Sequence, residues 1–532
     1  MLKKELLDFC LEKNILLDNF LIDKLKDYDI EQIKIFLNKL KNYSGKKFLN
    51  KSLIENNQEI INKFIDEISI NKDKNFLKLK EKIGIMNFQS FKKIEKNNET
   101  NDFEAKVKVS LSSPSIPKSL EVKDFVVHFK NRYEDLKNIM QDRPEFENLV
   151  SIGKISNDKQ KISVIGMVAE KKMTKNGNLM LEIEDLTGRI KVLVSSNKKE
   201  LLKEADDITL DAVLGFKGLG NNEIIFVNDI IFPETMLAER KKGPLEEYAL
   251  FIGDIHFGSH NFLEKDFQKF IDFLNDEKKE ESYISKIKYL FIVGDLITGV
   301  GNYPNQEKDL LVVDLEEQFQ KIANLLRKIR KDIKIIISPG NHDCVRLMEP
   351  QPLLSEKYAW PIYELENVIV TENPAVVNIG EREGFPGFDV LTYHGFSFPY
   401  YANNIPKLML EKTMNNPVKI IEYLLKNRHL APTHTSTQYF PNKKDSLLIR
   451  KVPDIILSGH THKSGVVHNN NVLIISVSSW EGLTPYQEKF GNTPDHSKVP
   501  MFNLKTRQIK ILDFENLNDK DGIKRYKEKN EK

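Results

Sequence analysis

The chain has 532 residues, with 80 Lys plus Arg against 78 Asp plus Glu and a formal net charge of +2. That balance excludes a strongly basic nucleic-acid coat or an acidic tail protein at the level of the whole chain, and the length allows three or four domains at ~150 residues each. No apolar run approaches the ~20 residues of a membrane span, no secretory leader opens the chain, and two cysteines, Cys10 and Cys344, exclude a disulfide framework, so a cytoplasmic protein with no membrane partner is expected.

Residues 1–70 read as a small helical domain. Leu6, Leu7 and Cys10, then Leu16, Leu17, Phe20, Leu21 and Leu25, recur at three-to-four spacing, with Asn14 and Asp29 as turns or caps between short helices. Nothing in this segment carries chemistry, and an accessory or docking module is expected. Residues 71–118 are rich in Lys and Asn and end in LSSPSIPKS, a composition that buries too little apolar area to offset chain entropy. A flexible linker is expected there.

Residues 119–236 read as a helix followed by a small barrel. Phe125, Phe129, Tyr133, Leu136 and Met140 share one helical face. Five strand-like runs follow, KISVIGMVAE, NLMLEIED, GRIKVLV, ITLDAVLGFKG and EIIFVNDIIF, with a short helical stretch at Lys198 to Ala205 between the third and fourth. Five strands with that insertion resemble an OB-fold. Its candidate face offers Lys171, Lys172, Arg189 and Lys191 but almost no aromatic residues. Packing or subunit contact is as good a role for it as direct DNA binding.

The chemistry lies in residues 237–515, and 516–532 read as a charged, frayed tail. Only His128 among 11 histidines precedes residue 250. One local pattern recurs five times: an apolar strand, then a sharp turn bearing His, Asp or Asn. YALFI leads to Asp254 and His256, YLFIV to Asp295, IKIIIS to Asn341, His342 and Asp343, FDVLT to His394, and DIILS to His460 and His462. Ligands gather at the carboxyl ends of strands in layered α/β folds, so the turns are expected to converge. Seven oxygen or imidazole donors suit two ions better than one, and the absence of thiolate favours two divalent metal ions, manganese first, with iron or zinc as alternatives. Asp295, alone on its turn, is the natural bridge between them. Such a pair neutralises and polarises a phosphoester.

The ordered set D-x-H, GD, GNHD, H and GHxH resembles the calcineurin-like metallophosphoesterase superfamily. The flanking stretches GDIHFGSH, GDLITGVGNYPNQ, PGNHDCVRLMEPQP, YHGFS, RHLAP and PDIILSGHTH look like the small subunit of the archaeal family-D DNA polymerase. That resemblance implies a multidomain α+β chain: a small N-terminal helical domain, an OB-fold β-barrel and a calcineurin-like αββα metallophosphoesterase sandwich. It implies one ion on Asp254, His256, Asp295 and His462, and another on Asp295, Asn341, His394 and His460. His342 is then the unligated histidine serving the leaving oxygen, with Asp343 orienting it. The implied activity is 3′→5′ exonucleolytic proofreading, in a heterodimer or larger assembly with a large catalytic polymerase subunit. The resemblance implies a DNA primer-template or a single-stranded 3′ end as the substrate and the nucleoid as the site of action, and it leaves contact with a sliding clamp open. Thr298 departs from the family pattern, which has an acidic residue there. Arg346 and His434 are the tentative substrate contacts, while His260, His429, His468 and His496 are bystanders. Two other functions share these residues, a stand-alone phosphatase or phosphodiesterase and a non-catalytic polymerase scaffold.

Overall fold

The computed structural model describes residues 4–17, 19–25, 28–44, 48–49, 61, 64–65, 105–111, 119–234, 236–276, 283–489, 491–516 and 523–525. The chain forms two compact units, Met1–Asp102 and Phe103–Lys532.

The first unit contains helices Lys4–Glu12, Asn19–Leu25 and Ile30–Ser44 and a short parallel pair, β1 (Leu16–Leu17) and β2 (Phe48–Leu49). Leu6, Cys10, Leu21, Leu25, Phe36, Leu37 and Leu40 make its core. Asn14 takes a left-handed turn at φ 52°. Asp29 caps the third helix by accepting from the backbone N–H groups of Glu31 and Gln32 at 3.0 and 3.2 Å.

In the second unit a strand appears where a linker was expected. β3 (Val107–Leu111) pairs antiparallel with β13 (Ala375–Ile379). The physical reason is its Lys-Val-Lys-Val-Ser-Leu alternation, a period-two pattern that half-buries Val107 and Val109 and exposes Lys106 and Lys108. The rest of 71–118, apart from 105–106, lies outside the described residues. Helix Val122–Met140 follows, then a closed barrel of β4 (Gln160–Met173), β5 (Leu179–Glu184), β6 (Arg189–Val194), β7 (Val213–Gly220) and β8 (Ile224–Ile231). Its strands run in the order β4-β5-β6-β8-β7, with β6 and β8 parallel and helix Lys199–Asp206 between β6 and β7. This is the expected OB topology. Two of the four basic residues of its candidate face have protein partners: Lys171 Nζ donates to the Ile208 carbonyl at 3.2 Å, and Arg189 pairs with Glu184 at 2.7 Å.

The remaining strands build two sheets. One sheet holds β9 (Tyr248–Ile252), β10 (Ile287–Val293), β11 (Lys334–Ser338) and β12 (Val368–Val370), all parallel. The other holds β13, β14 (Phe388–Thr392), β15 (Ile455–Ser458), β16 (Gly465–Asn469) and β17 (Val472–Ser476), with β14, β15 and β17 parallel. β18 (Lys498–Asn503), β19 (Ile509–Asp513) and β20 (Ile523–Arg525) extend the first sheet beyond β9. β20 falls in the stretch expected to be a frayed tail. It pairs antiparallel with β19, whose free edge offers it a ladder.

The strands are apolar on both faces because both faces are covered. Ala249, Phe251, Tyr289, Phe291 and Ile336 of the first sheet meet Val377, Val390, Leu457 and Ile475 of the second. Leu250, Ile252, Leu290, Ile335 and Ile337 face helices Glu264–Leu274, Leu315–Leu326 and Glu356–Tyr363 on the outer side. Leu391, Ile456 and Ile474 face helices Phe398–Asn404 and Val418–Lys426 on the other. The result is an αββα sandwich, and the chain as a whole is multidomain α+β.

Barrel and sandwich are joined through helix Val122–Met140. Its Tyr133, Leu136 and Met140 pack against Ile165, Met167 and Val213 of the barrel and Leu448 of the sandwich. The same face buries Arg132, whose guanidinium meets Asp445 at 2.6 Å, and His128. An apolar-periodicity argument does not find these two polar residues. Among the described residues no helix is long and apolar enough to cross a membrane.

Candidate metal centre

All five motif turns leave the carboxyl ends of parallel strands β9, β10, β11, β14 and β15, and they converge. The donor atoms of Asp254, His256 and His462 lie within 4.8 Å of one another, as do those of Asp295, His394 and His460, and those of His256, Asp295 and His342. Asp295 therefore belongs to two of these clusters, one with His256 and His342 and one with His394 and His460. Its Oδ2 is 3.7 Å from His256 Nε2 and 3.2 Å from His394 Nε2. Asn341 Oδ1 lies 3.0 Å from His394 Nε2.

The backbone is bent to achieve this. Asp254, His256, Asp295, His460 and His462 all sit at positive φ, between 47° and 68°. Non-glycine residues adopt that region at a cost, and clusters of such residues mark functional sites. Two glycines let the turns approach. A Cβ on Gly294 would lie 2.2 Å from His394 Nδ1, and one on Gly340 would lie 2.2 Å from Asp295 Oδ1.

Hydrogen bonds fix each donor. The two Asp254 oxygens accept from the His460 backbone N–H at 2.9 and 3.0 Å. Asp295 Oδ1 accepts from the His342 backbone N–H at 2.8 Å, leaving Oδ2 to the imidazoles. His394 Nδ1 donates to the Val293 carbonyl at 3.1 Å, which turns Nε2 towards Asp295 and Asn341.

The residues fit a divalent metal centre. His256 Nε2 and His462 Nε2 face each other across 3.0 Å, and a cation between neutral imidazoles satisfies both lone pairs. Burial holds His256 and His460 down at about 3, so both are neutral ligands at ordinary pH. Burial also disfavours charge on His394, but the adjacent Asp295 outweighs it and holds that imidazole up at about 10. The buried carboxylates thus draw in positive charge. Burial pushes Asp254 well above the usual carboxylate range, while neighbouring imidazoles hold Asp295 well below it despite its burial.

His342 lies at the edge of the clusters. Its ring is 4.8 Å from that of His256, and its Nδ1 donates to the Thr298 carbonyl at 2.9 Å. This corrects the role expected for Asp343. The Asp343 carboxylate accepts from the backbone N–H groups of Ile297 and Gly340, at 3.0 and 2.8 Å, and so clasps the β10 and β11 turns together. With both oxygens on backbone, the main chain at Thr298 orients His342 instead. A carbonyl performs that task whatever the side chain. The Thr298 hydroxyl itself donates to the His256 carbonyl at 2.7 Å.

The two tentative substrate contacts have partners within the protein. Arg346 donates to the carbonyls of Met348 and Pro350, at 3.3 and 2.7 Å, and lies 3.8 Å over the Phe440 ring, so it braces its own loop. His434 packs tilted on Tyr439 and edge-to-face on Phe125, with centroids 4.6 and 5.8 Å away, and its backbone N–H donates to Asp211. Those contacts place it at the junction with the barrel. Three polar neighbours of the site lie outside the motifs. Gln487 Nε2 is 2.8 Å from His462 Nδ1, Asn302 Nδ2 is 3.1 Å from His342 Nδ1, and Asn373 Oδ1 accepts from the His394 backbone N–H at 2.9 Å. No local pattern marks them, since sequence separations of 21 to 40 residues divide them from their partners.

Residues 249–464 match the calcineurin-like phosphoesterase family. The chain is 33% identical over 417 residues to the DNA polymerase II small subunit of Methanothermobacter thermautotrophicus, covering 78% of this chain and 83% of that one. It belongs to the DNA polymerase II small-subunit family. The small subunit of Pyrococcus abyssi is 38% identical over 73% of this chain, and that of Methanocaldococcus jannaschii is 39% identical over 72%. The match spans 62% and 64% of those two relatives' own lengths. The chain therefore carries a phosphoesterase domain, with a clustered Asp and His site suited to divalent metal, in a polymerase small-subunit family.

Proposed function

We propose that this chain is the 3′→5′ exonuclease of a heteromeric replicative DNA polymerase, hydrolysing DNA phosphodiesters at a dinuclear metal site. The observation that carries the reading is Asp295 clustered with His256 on one side and with His394 and His460 on the other, in a polymerase small-subunit family. Asp254, His256, Asp295 and His462 would hold one ion, and Asp295, Asn341, His394 and His460 the other, with manganese as the ion of first choice. Two divalent cations supply charge neutralisation at the scissile phosphate and activation of water.

The protein's own groups do the rest. Asp254 and Asp295 set the charge of the site, and the clasp of Asp343 keeps the β10 and β11 turns in register. His342 has its Nδ1–H committed to the Thr298 carbonyl. Its Nε2 is left to give a proton to, or hydrogen-bond, the leaving 3′ oxygen. A separate large subunit supplies synthesis and most of the grip on DNA, which suits a net charge of only +2. Contact with a sliding clamp and a place at the nucleoid in the cytoplasm belong to the same reading.

The test is shortening of 5′-labelled single strands and mismatched primer-templates by the full chain in Mn²⁺. Asp295→Asn should abolish it, and His342→Ala should lower it by roughly 10²–10⁴-fold. Undiminished cleavage by both variants overturns the site assignment. Turnover of small phosphoesters far above that of DNA favours a stand-alone phosphodiesterase.

A further inference from the structure

The loop that follows the Asp295 turn runs beside His342 and carries an exposed aromatic ring. Asn302, whose side chain lies 3.1 Å from His342 Nδ1, is followed at once by Tyr303, 43% exposed. An exposed tyrosine on a mobile loop would mean little, but this loop is pinned from beneath by two buried glutamines. Gln306, 1% exposed, accepts from the Asn302 backbone N–H at 2.8 Å and donates to the Thr298 carbonyl at 3.0 Å. Gln318, fully buried, accepts from the Gly299 backbone N–H at 3.0 Å and donates to the Val312 carbonyl at 2.7 Å. The Tyr303 hydroxyl donates to Asp309 Oδ2 at 2.8 Å, which fixes the ring. The Asp309 carbonyl is itself held by the His260 backbone N–H at 3.0 Å.

The result is a rigid, solvent-facing aromatic surface one residue from a group that touches the candidate general acid. A preorganised ring loses little entropy when something stacks on it. Charge says what that is. Asp309 binds the hydroxyl, and Glu481 lies within electrostatic reach of it. Two carboxyl groups there disfavour a phosphate and leave an uncharged planar group as the fitting occupant.

We propose that Tyr303 is the stacking platform for the nucleobase adjacent to the scissile phosphodiester. The proposal rests on the exonuclease reading above and adds a base contact that none of the metal ligands supplies. Stacking tolerates any base, as removal of an arbitrary misincorporated nucleotide requires.

The test uses the full chain and pairs of oligonucleotides ending in a normal nucleotide or an abasic analogue. For the native protein KM should be on the order of tenfold lower for the normal end. Tyr303→Ala should bring that ratio to about one, and Tyr303→Phe, which keeps the ring, should retain most of it. The abasic substrate is the internal control for folding of each variant. In parallel, an oligonucleotide ending in 5-iodouracil is irradiated on the protein without turnover, and crosslinking at Tyr303 is read by mass spectrometry. A crosslink at Tyr303 without strand shortening overturns the exonuclease reading and keeps the platform. Shortening with no crosslink there, an unchanged KM ratio in Tyr303→Ala, or equal failure of Tyr303→Phe and Tyr303→Ala overturns the platform.

Discussion

Replacing Asp343 with Asn separates two roles that the motif alone leaves confounded. The carboxylate is 1% exposed, and its two oxygens each accept one backbone N–H, from Ile297 on the β10 turn and Gly340 on the β11 turn. Asparagine offers one acceptor and one donor, so one of the two buried N–H groups faces another donor. An orphaned buried N–H costs about 1–3 kcal/mol. Part of that is offset, because burial and nearby Asp295 hold the Asp343 carboxyl up at about 6 and Asn carries no charge to bury. A net loss of about 1–2 kcal/mol confined to the two turns lowers the share of molecules with both in register by about 5- to 30-fold. The two turns carry Asp295 and Asn341, so Mn²⁺ affinity should fall by a similar factor. Calorimetric titration of Mn²⁺ should show this, excess Mn²⁺ should restore most of the phosphodiesterase rate, and the pH–rate profile should keep its shape. If Asp343 instead orients His342, metal affinity stays native while the profile shifts. Native Mn²⁺ affinity with lost activity refutes the clasp.

Gly340→Ala places a methyl 2.2 Å from Asp295 Oδ1, and displacement of that carboxylate should cost on the order of a hundredfold in phosphodiester hydrolysis, with far-UV circular dichroism unchanged. Arg132→Met leaves Asp445 buried at 1% exposure without its guanidinium partner. Urea unfolding should show a loss of about 3–5 kcal/mol, much of it recovered in Arg132→Met/Asp445→Leu. Burial holds the Glu349 carboxyl up at about 7, above its ordinary 4.5. A raised value means that the folded state retains the proton longer than the unfolded one. Stability from this residue is therefore complete below about 4.5 and is lost as pH rises through about 7. Glu349→Gln should flatten that slope, on the order of 3 kcal/mol, in urea midpoints compared at pH 4 and pH 8.

The clustered Asp and His groups are legible because strand-end motifs are local: each stands within three residues of a glycine and just after an apolar run. The two sheets were legible for the same reason, since YALFI and IKYLFIV are apolar on both faces. The groups that position those donors are not local. Asp343 adjoins His342 in sequence, but its partners are backbone groups of Ile297 and Gly340, which no motif shows. Arg346 and His434 stand out by charge and position in sequence, whereas their contacts with Phe440 and Tyr439 leave no local mark. β3 was hidden by its lysines, although Val107 and Val109 keep the two-residue period of a half-buried strand. Five donor or neighbouring ligand residues at positive φ leave no mark in the sequence, because only glycine advertises that conformation.

The central claim is that one carboxylate, Asp295, joins two metal sites. Equilibrium dialysis of the full chain against Mn²⁺, followed by elemental analysis, tests it directly. Two ions per native chain are expected, and at most one in Asp295→Asn, with loss of strand shortening. A single ion in the native chain, or two ions and full activity in Asp295→Asn, contradicts it.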